Sequence, residues 1–292
     1  MSHEVKALLI FCEGSHDTAF VRMVLKKLLG YQVVKLKFSE MPSPFNSLFE
    51  TTVKSHAAQD MSLDMAHKFF LPDTILRQED SMVFIYNSGG KTQYEKVRAL
   101  LSTYMPLFEQ AKIFPQKAKK IVQSVKYLFL YDADTEGIEA ISKNLERDFS
   151  QIDGKNFIYS PWQNAGSNFG RIAKDKAVFV WGKSPDAGTL EDLLMPMFGS
   201  VEENRLILDK VKKAITDMFK WKIDAHKTNN SATELAKYQK AVLTTVGQRK
   251  KPGSSLSVIL EQSGFITEDV LKASQITTEF VQFFKEFANT QH

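Results

Sequence analysis

Two aspartates follow an apolar stretch near the middle of the chain and could act on the same atom. Asp132 and Asp134 come directly after residues 127–131 (YLFLY), with Ala133 between them. Because side chains alternate along an extended backbone, residues two apart point to the same side. The spacing therefore predicts that both carboxylates face one small volume. An aspartate after a strand also commonly caps the next helix, so this pair alone leaves both interpretations open.

A glutamate and an aspartate follow a second apolar stretch, at residues 7–12. Glu13 ends this stretch, and Asp17 lies in the first turn of the helix predicted after it. A carboxylate in that turn also interacts favourably with the helix dipole, which would explain Asp17 without any chemistry. If these residues met the aspartate pair, their carboxylates would repel one another unless a cation neutralised them. Because hard oxygen ligands suit Mg²⁺ or Mn²⁺, the sequence predicts a divalent-metal site.

The elements that would position these carboxylates are strands alternating with helices. Apolar runs at residues 7–12, 82–86, 127–131 and 177–181 are separated by helical patterns. Nearly continuous apolar strands joined by helices are typical of a parallel sheet covered on both faces. Functional side chains in such a sheet gather beyond the carboxyl ends of the strands. The fold class predicted is α/β, with a mostly parallel central sheet flanked by helices.

The rest of the chain divides into an interruption of the core and a helical end. A second short strand is expected at residues 32–37. Residues 39–80 contain three prolines and break the rhythm, so we expect an insertion there, with a helix near 62–70. Residues 1–200 would form the α/β core, and residues 201–292 a helical C-terminal region packed on it.

The composition is that of a globular protein. Among 292 residues, 43% are hydrophobic and 25% are charged, which excludes disordered, collagenous and coiled-coil classes. The net charge of +4 is weak evidence for nucleic acid. No apolar run approaches the roughly 18 residues of a membrane helix, so we expect no membrane insertion. A lone cysteine, Cys12, and no signal-peptide core favour a cytoplasmic location. The sequence leaves a homo-oligomer open.

The acidic residues, in their order and strand context, resemble the Toprim domain. The resemblance is carried by Glu13-Gly14 with Asp17, then by Asp132-Ala133-Asp134, and then by Gly-Thr-Leu-Glu-Asp at residues 188–192. Toprim domains occur in topoisomerases, bacterial primases, recombination proteins and nucleases of the OLD family. The late segment is most similar to compact OLD-like Toprim proteins of unknown function. The resemblance implies a Toprim-like core with an insertion after the second strand.

The resemblance also implies a role for each acidic residue. Glu13 corresponds to a general acid or base, or a metal ligand, and Asp17 to a second acidic position. The aspartate pair corresponds to the Mg²⁺-binding residues, and Glu191 or Asp192 would contribute to a second metal. Two metals roughly 4 Å apart could stabilise the attacking and leaving oxygens of a phosphodiester displacement.

Basic residues supply the remaining candidates. By the same resemblance, Lys240 would offset phosphate charge, although a solvated lysine on an amphipathic helix explains it as well. Contacts to a nucleic-acid backbone could come from several further lysines, which are otherwise ordinary solvated residues; these are Lys91, Lys119, Lys120, Lys250 and Lys251.

The sequence Ser-Gly-Gly-Lys-Thr at residues 88–92 is not a phosphate-binding loop of the P-loop kind. That motif would require a glycine at position 85, which is Ile85. We interpret the sequence as a glycine turn, either purely structural or close to the metal site.

Three functions are consistent with these observations. The leading prediction is a Mg²⁺-dependent phosphodiester-cleaving or transferring enzyme, a metal-dependent nuclease acting on DNA or RNA. The second is a non-catalytic Toprim module that binds metal, nucleic acid or a partner protein. The third is a phosphatase or nucleotidyl-transfer enzyme that uses the same acidic residues on small nucleotides.

Overall fold

A computed structural model of the chain describes residues 3–57, 71–113, 120–219 and 232–290. These residues form an α/β fold in which a large mixed sheet is flanked by helices. The helix expected near residues 62–70 lies outside the described residues.

The strands and helices alternate through the first two thirds of the chain, and helices alone follow. The strands are β1 (His3–Cys12), β2 (Gln32–Val33), β3 (Thr74–Gln78), β4 (Ser81–Asn87), β5 (Lys120–Asp132), β6 (Gln151–Ile152), β7 (Lys155–Asn156), β8 (Gln163–Asn164), β9 (Gly170–Ala173) and β10 (Lys176–Trp181). The helices are α1 (Ser15–Leu29), α2 (Phe45–Ala57), α3 (Tyr94–Ile113), α4 (Gly137–Phe149), α5 (Leu190–Phe198), α6 (Glu202–Phe219), α7 (Ala232–Gln248), α8 (Leu256–Gln262), α9 (Glu268–Ala273) and α10 (Gln275–Asn289), with a short 3₁₀ turn at Phe38–Glu40.

The main sheet has eight strands in the order β2-β3-β4-β1-β5-β10-β9-β8. Its centre, β4-β1-β5-β10, is parallel, as expected. The expectation of a mostly parallel sheet is nevertheless wrong, because the four outer pairings are antiparallel. Short connections account for two of these four pairings: two residues join β3 to β4, and two join β9 to β10. Such a link allows only antiparallel pairing, whereas a parallel pair needs a long crossover.

Two sequence-based boundaries also change. The strand expected at residues 32–37 is only the two residues of β2. The range 39–80, expected to be an insertion, contains β3, which pairs with β4 inside the main sheet.

Both faces of the central strands are buried, which explains their apolar sequences. In β1, Leu8 and Ile10 belong to one apolar cluster, and Leu9 and Phe11 to another on the opposite face. Helix α1 packs into the first cluster, while α3 and α4 pack into the second. The connections that leave β1 and β5 therefore turn to opposite faces of the sheet.

The C-terminal helices pack into the same cluster as α1. Phe280 and Phe283 of α10 lie against Phe179 of β10, with ring centroids 5.2 and 5.3 Å away. Buried residues from α6 to α9 join this cluster, namely Leu208, Val242, Ile259 and Leu271. Within the described ranges, none of the helices is both long enough and apolar enough to cross a membrane.

Candidate functional site

The fold creates a crevice at the carboxyl ends of β1 and β5. These strands are neighbours and run parallel, but their following helices lie on opposite faces of the sheet. Ligands of open α/β sheets bind at such switch points. A pocket of about 370 Å³ lies there. Its lining residues come from the ends of β1, β4 and β5 and from α1, α5 and α7; they are Glu13, Gly14, Ser15, His16, Asp17, Asn87, Gly89, Gly90, Asp132, Leu190, Glu191 and Lys240.

Glu13 is placed by the end of β1. Its backbone N–H donates to the Leu130 carbonyl at 3.2 Å, which continues the pairing with β5. Its side-chain Oε2 accepts a hydrogen bond from the N–H of Asp132 at 3.4 Å. Burial raises the pKa of Glu13, and the nearby Lys91 ammonium partly opposes this. Glu13 and Asp132, which are more than a hundred positions apart in the sequence, are therefore in contact.

Asp17 lies at the start of α1, where it is 7% exposed. The cap of this helix is Gly14, whose N–H donates to Asp17 Oδ2 at 2.9 Å. The other oxygen, Oδ1, is buried without a hydrogen-bond partner. Burial, followed by repulsion from Glu13 and Glu191, raises the pKa of Asp17 to about 7. The helix-cap role thus accounts for only one of its two oxygens.

Asp132 is the last residue of β5 and faces the start of α5. Its Oδ1 accepts a hydrogen bond from the N–H of Leu190, the first residue of that helix, at 2.8 Å. Burial, followed by repulsion from Asp17, Glu191 and Glu13, raises the pKa of Asp132 to about 9. The hydrogen bond from Leu190 opposes this rise without overcoming it.

Glu191 brings a fourth carboxylate into the pocket from the first turn of α5. It is only 2% exposed, and its Oε2 is buried without a hydrogen-bond partner. Its Oε1 lies 3.4 Å from Lys240 Nζ and 3.8 Å from His16 Nδ1. Burial and the Lys240 charge lower the pKa of His16, so the imidazole is neutral at pH 7. Glu191 is therefore paired with cationic Lys240 and flanked by a neutral histidine.

Asp134 and Asp192 do not line the pocket. The extended backbone on which the spacing argument depends ends at Asp132, and Asp134 has a φ of 48°. Its backbone exchanges two hydrogen bonds with Gly188, of 2.7 and 2.8 Å, and its carboxylate pairs with Lys91. Asp192 accepts a hydrogen bond from the N–H of Thr189 at 3.0 Å and so caps α5.

The predicted lysines are scattered. Lys240 reaches the pocket from α7, and Lys91 lies beside it. Lys119 falls outside the described residues, and Lys120 begins β5 at the end opposite the pocket. Lys250 lies over the ring of Phe265, at 4.5 Å, in the turn after α7 that also contains Lys251. Of the five proposed nucleic-acid contacts, only Lys91 is described next to the carboxylates.

Two lining groups were not singled out from the sequence. Asn87 ends β4 opposite Cys12, and only its position after an apolar strand could have indicated it. The N–H of Leu190 acts through the backbone, and its signal is the Thr189-x-x-Asp192 capping pattern that marks the start of a helix.

The lining of the pocket is rich in carboxylates. Across the described ranges, no group of three or more His, Cys, Asp or Glu side chains is placed so that it could hold a metal ion as it stands. Four carboxylates nevertheless share the lining, and two buried oxygens, Asp17 Oδ1 and Glu191 Oε2, have no partner. Buried polar atoms are normally satisfied, and carboxylate oxygens are the ligands that Mg²⁺ and Mn²⁺ prefer.

Comparison with known proteins gives one similar structure. No family model matches the sequence, and no curated protein matches it. Among solved structures, a hypothetical protein from Pyrococcus horikoshii OT3 is similar, with 14% sequence identity and a TM-score of 0.49. The similarity covers 97% of this chain and 95% of that chain.

Proposed function

We propose that this chain is a Mg²⁺- or Mn²⁺-dependent phosphodiester-cleaving or transferring enzyme, a nuclease of Toprim and OLD type that acts on DNA or RNA. The observation that carries the proposal is the pair of buried, unpartnered carboxylate oxygens on Asp17 and Glu191 in the pocket. They come from different helices, α1 and α5, and both are more than nine-tenths buried. A positive ligand is the simplest partner for oxygens in this position.

The residues that would hold the cation are Glu13, Asp17, Asp132 and Glu191. Burial raises the pKa of the first three, and repulsion from their neighbours adds to this rise for Asp17 and Asp132. A bound cation opposes the rise by favouring the ionised form. A divalent cation at such a site neutralises charge on a phosphoryl oxygen and activates water.

The other side chains of the pocket suit phosphodiester chemistry. The Lys240 ammonium lines the pocket 3.4 Å from Glu191 Oε1, and its side chain is 46% exposed. It can therefore contact a phosphate oxygen and offset negative charge that develops there. Because burial raises its pKa, Glu13 holds a proton more readily than an ordinary glutamate, as a general acid or base requires. Because Glu13 also accepts a hydrogen bond from the Asp132 N–H, its carboxylate keeps a fixed position at the end of β1.

The test is cleavage of supercoiled plasmid and of single-stranded RNA by the purified chain with Mg²⁺ or Mn²⁺. We expect metal-dependent cleavage of at least one substrate. Asp132→Asn should reduce it by at least about 100-fold, because it removes one ligand charge. The asparagine keeps an oxygen that can accept the Leu190 N–H. The matched control is Asp269→Asn, an exposed aspartate on α9, which should cleave as the wild type does.

Three results separate the remaining functions. Metal-dependent nicking that survives Asp132→Asn would contradict the proposed site. Metal binding without cleavage of any polynucleotide would favour the non-catalytic module. Hydrolysis of nucleotides or phosphate monoesters alone would favour the small-substrate enzyme, for which a pocket of about 370 Å³ is large enough.

A further inference from the structure

Lys91 and Asp134 form an ion pair beside the pocket. Neither residue is among the four carboxylates proposed to hold the cation. The Nζ and Oδ2 atoms are 2.6 Å apart, and the side chains are 22% and 39% exposed. The Lys91 charge also lowers the pKa of Glu13, and the Asp134 charge raises it, so both groups are electrostatically coupled to the pocket. The pair is therefore accessible to solvent and adjacent to the acidic site.

A glycine turn after β4 places Lys91. Gly89 and Gly90 line the pocket with φ values of 81° and 118°, which favour glycine. The Gly90 N–H donates to the Glu13 carbonyl at 2.8 Å, and the Ser88 N–H donates to the Cys12 carbonyl at 2.9 Å. These bonds tie the turn to the end of β1, so the lysine stem begins at the edge of the pocket.

Asp134 is held just as firmly. Its two backbone hydrogen bonds to Gly188 anchor it to the segment that leads into α5. Between two fixed backbones, the lysine side chain is the part that can move, because its four-carbon stem has several rotatable bonds. The ammonium can leave Asp134 for another anion within reach without any rearrangement of the sheet.

The charges around the pocket indicate what would release the Lys91 ammonium from Asp134. Without a cation, Lys91 holds Asp134 and Lys240 holds Glu191. A cation among the carboxylates makes the local potential less negative, which weakens the hold of the acidic site on Lys91. A substrate phosphate beside the cation offers an alternative partner.

We propose that Lys91 is a phosphate-binding residue that is retained by Asp134 in the metal-free protein and turns to a substrate phosphate when the carboxylates have bound a divalent cation. This inference rests on the proposed function and adds to it an order of events: cation first, then phosphate. It assigns to Asp134 the role of retaining Lys91.

The first measurement is Mn²⁺ affinity, by isothermal titration calorimetry, without substrate. Lys91→Met removes a positive charge that competes with the cation and should tighten Mn²⁺ binding about fivefold. The matched control is Lys272→Met, which removes the same charge from an exposed ion pair of equal length, 2.6 Å, with Glu268 on α9 and should change affinity by less than about twofold. In an Asp134→Asn background, the Lys91 charge is no longer neutralised by its partner, so Lys91→Met should tighten Mn²⁺ binding by more than it does in the wild-type background.

The second measurement is binding of a short fluorescein-labelled phosphorothioate oligonucleotide, which resists cleavage. With saturating Mn²⁺, Lys91→Met should weaken binding by about tenfold, since a charge-assisted contact is lost. Without Mn²⁺, the same substitution should change binding by less than about twofold. Lys91→Met is thus expected to tighten the binding of Mn²⁺ and to weaken the binding of the oligonucleotide.

The outcomes distinguish this inference from the proposed function. If the wild type binds Mn²⁺ in a manner that Asp132→Asn abolishes, but Lys91→Met leaves Mn²⁺ affinity unchanged or weakens it, the retention by Asp134 is refuted and the metal site stands. Equal loss of oligonucleotide binding with and without Mn²⁺ would refute the order of events. If the wild type binds no Mn²⁺, both the proposed function and this inference fail.

Discussion

Replacing Asp17 by asparagine should make the metal-free protein more stable at pH 8. The pKa of Asp17 rises from its ordinary value of 3.8 to about 7 in the folded chain, because the group is buried beside two other carboxylates. Each pKa unit corresponds to about 1.4 kcal/mol, so ionised Asp17 costs on the order of 4 kcal/mol of folding free energy. Asparagine has nearly the same shape and keeps an oxygen for the Gly14 N–H, but carries no charge.

The pH dependence gives this prediction its sign. Between pH 3.8 and about 7, unfolded Asp17 has lost its proton while folded Asp17 retains it. The folded state therefore binds more protons, and its stability falls as the pH rises through this window. Asparagine does not titrate, so the stability of the variant lacks this pH dependence. The difference in the free energy of unfolding should be near zero at pH 4, less than half its full size at pH 5, and complete at pH 8.

Thermal unfolding at pH 5 and pH 8, after treatment with a chelator, measures the effect. At pH 8 we expect the variant to unfold roughly 10 °C above the wild type. Asp269→Asn, an exposed aspartate, should change stability by less than about 0.5 kcal/mol at either pH. Added Mn²⁺ should stabilise the wild type more than the variant. A variant that is less stable than the wild type at pH 8, or a difference that is equal at both pH values, would refute the reasoning.

Two further predictions concern a pocket lysine and a packing contact. Lys240→Met should lower metal-dependent cleavage at least tenfold, because it removes the ammonium beside Glu191, whereas Lys237→Met on the same helix should stay within about twofold. Gly170→Ala should lower the free energy of unfolding by about 2 kcal/mol or more in denaturant titration, because its new methyl group would overlap the Phe283 ring. Gly199→Ala, whose nearest contact would be 3.4 Å from Leu208, is the control and should change stability little.

The sequence predicts the centre of the fold better than its edges. The strands at residues 82–86, 127–131 and 177–181 are recognisable because they are apolar on both faces. Strand β3 was not predicted, because it follows a proline-rich stretch and is joined to β4 through Glu79, a residue with a φ of 52° where a glycine or asparagine would be the usual signal. Two of the four antiparallel pairings, β3 with β4 and β9 with β10, follow from such short turns, which composition alone does not indicate.

Some residues of the candidate site could likewise be predicted from the sequence, and others could not. Glu13 and Asp132 could be placed together because they end neighbouring buried strands. The position of Asp134 could not, because it depends on one positive φ and on two hydrogen bonds to Gly188, a residue more than fifty positions away. The choice between Glu191 and Asp192 was decidable: Asp192 stands three residues after the cap Thr189, so its carboxylate is used by the helix and the neighbouring glutamate is left for the pocket.

The same charge crowding that would bind a cation is also a cost to the free chain. Burial raises the pKa values of Asp17, Asp132 and Glu13, and each carboxylate is held in place by a hydrogen bond from a backbone N–H. The apolar clusters on both faces of the sheet contribute folding free energy that offsets this cost. Stability and cation affinity are therefore linked through the same carboxylates: a substitution that relieves the repulsion should raise the melting temperature and weaken metal binding together.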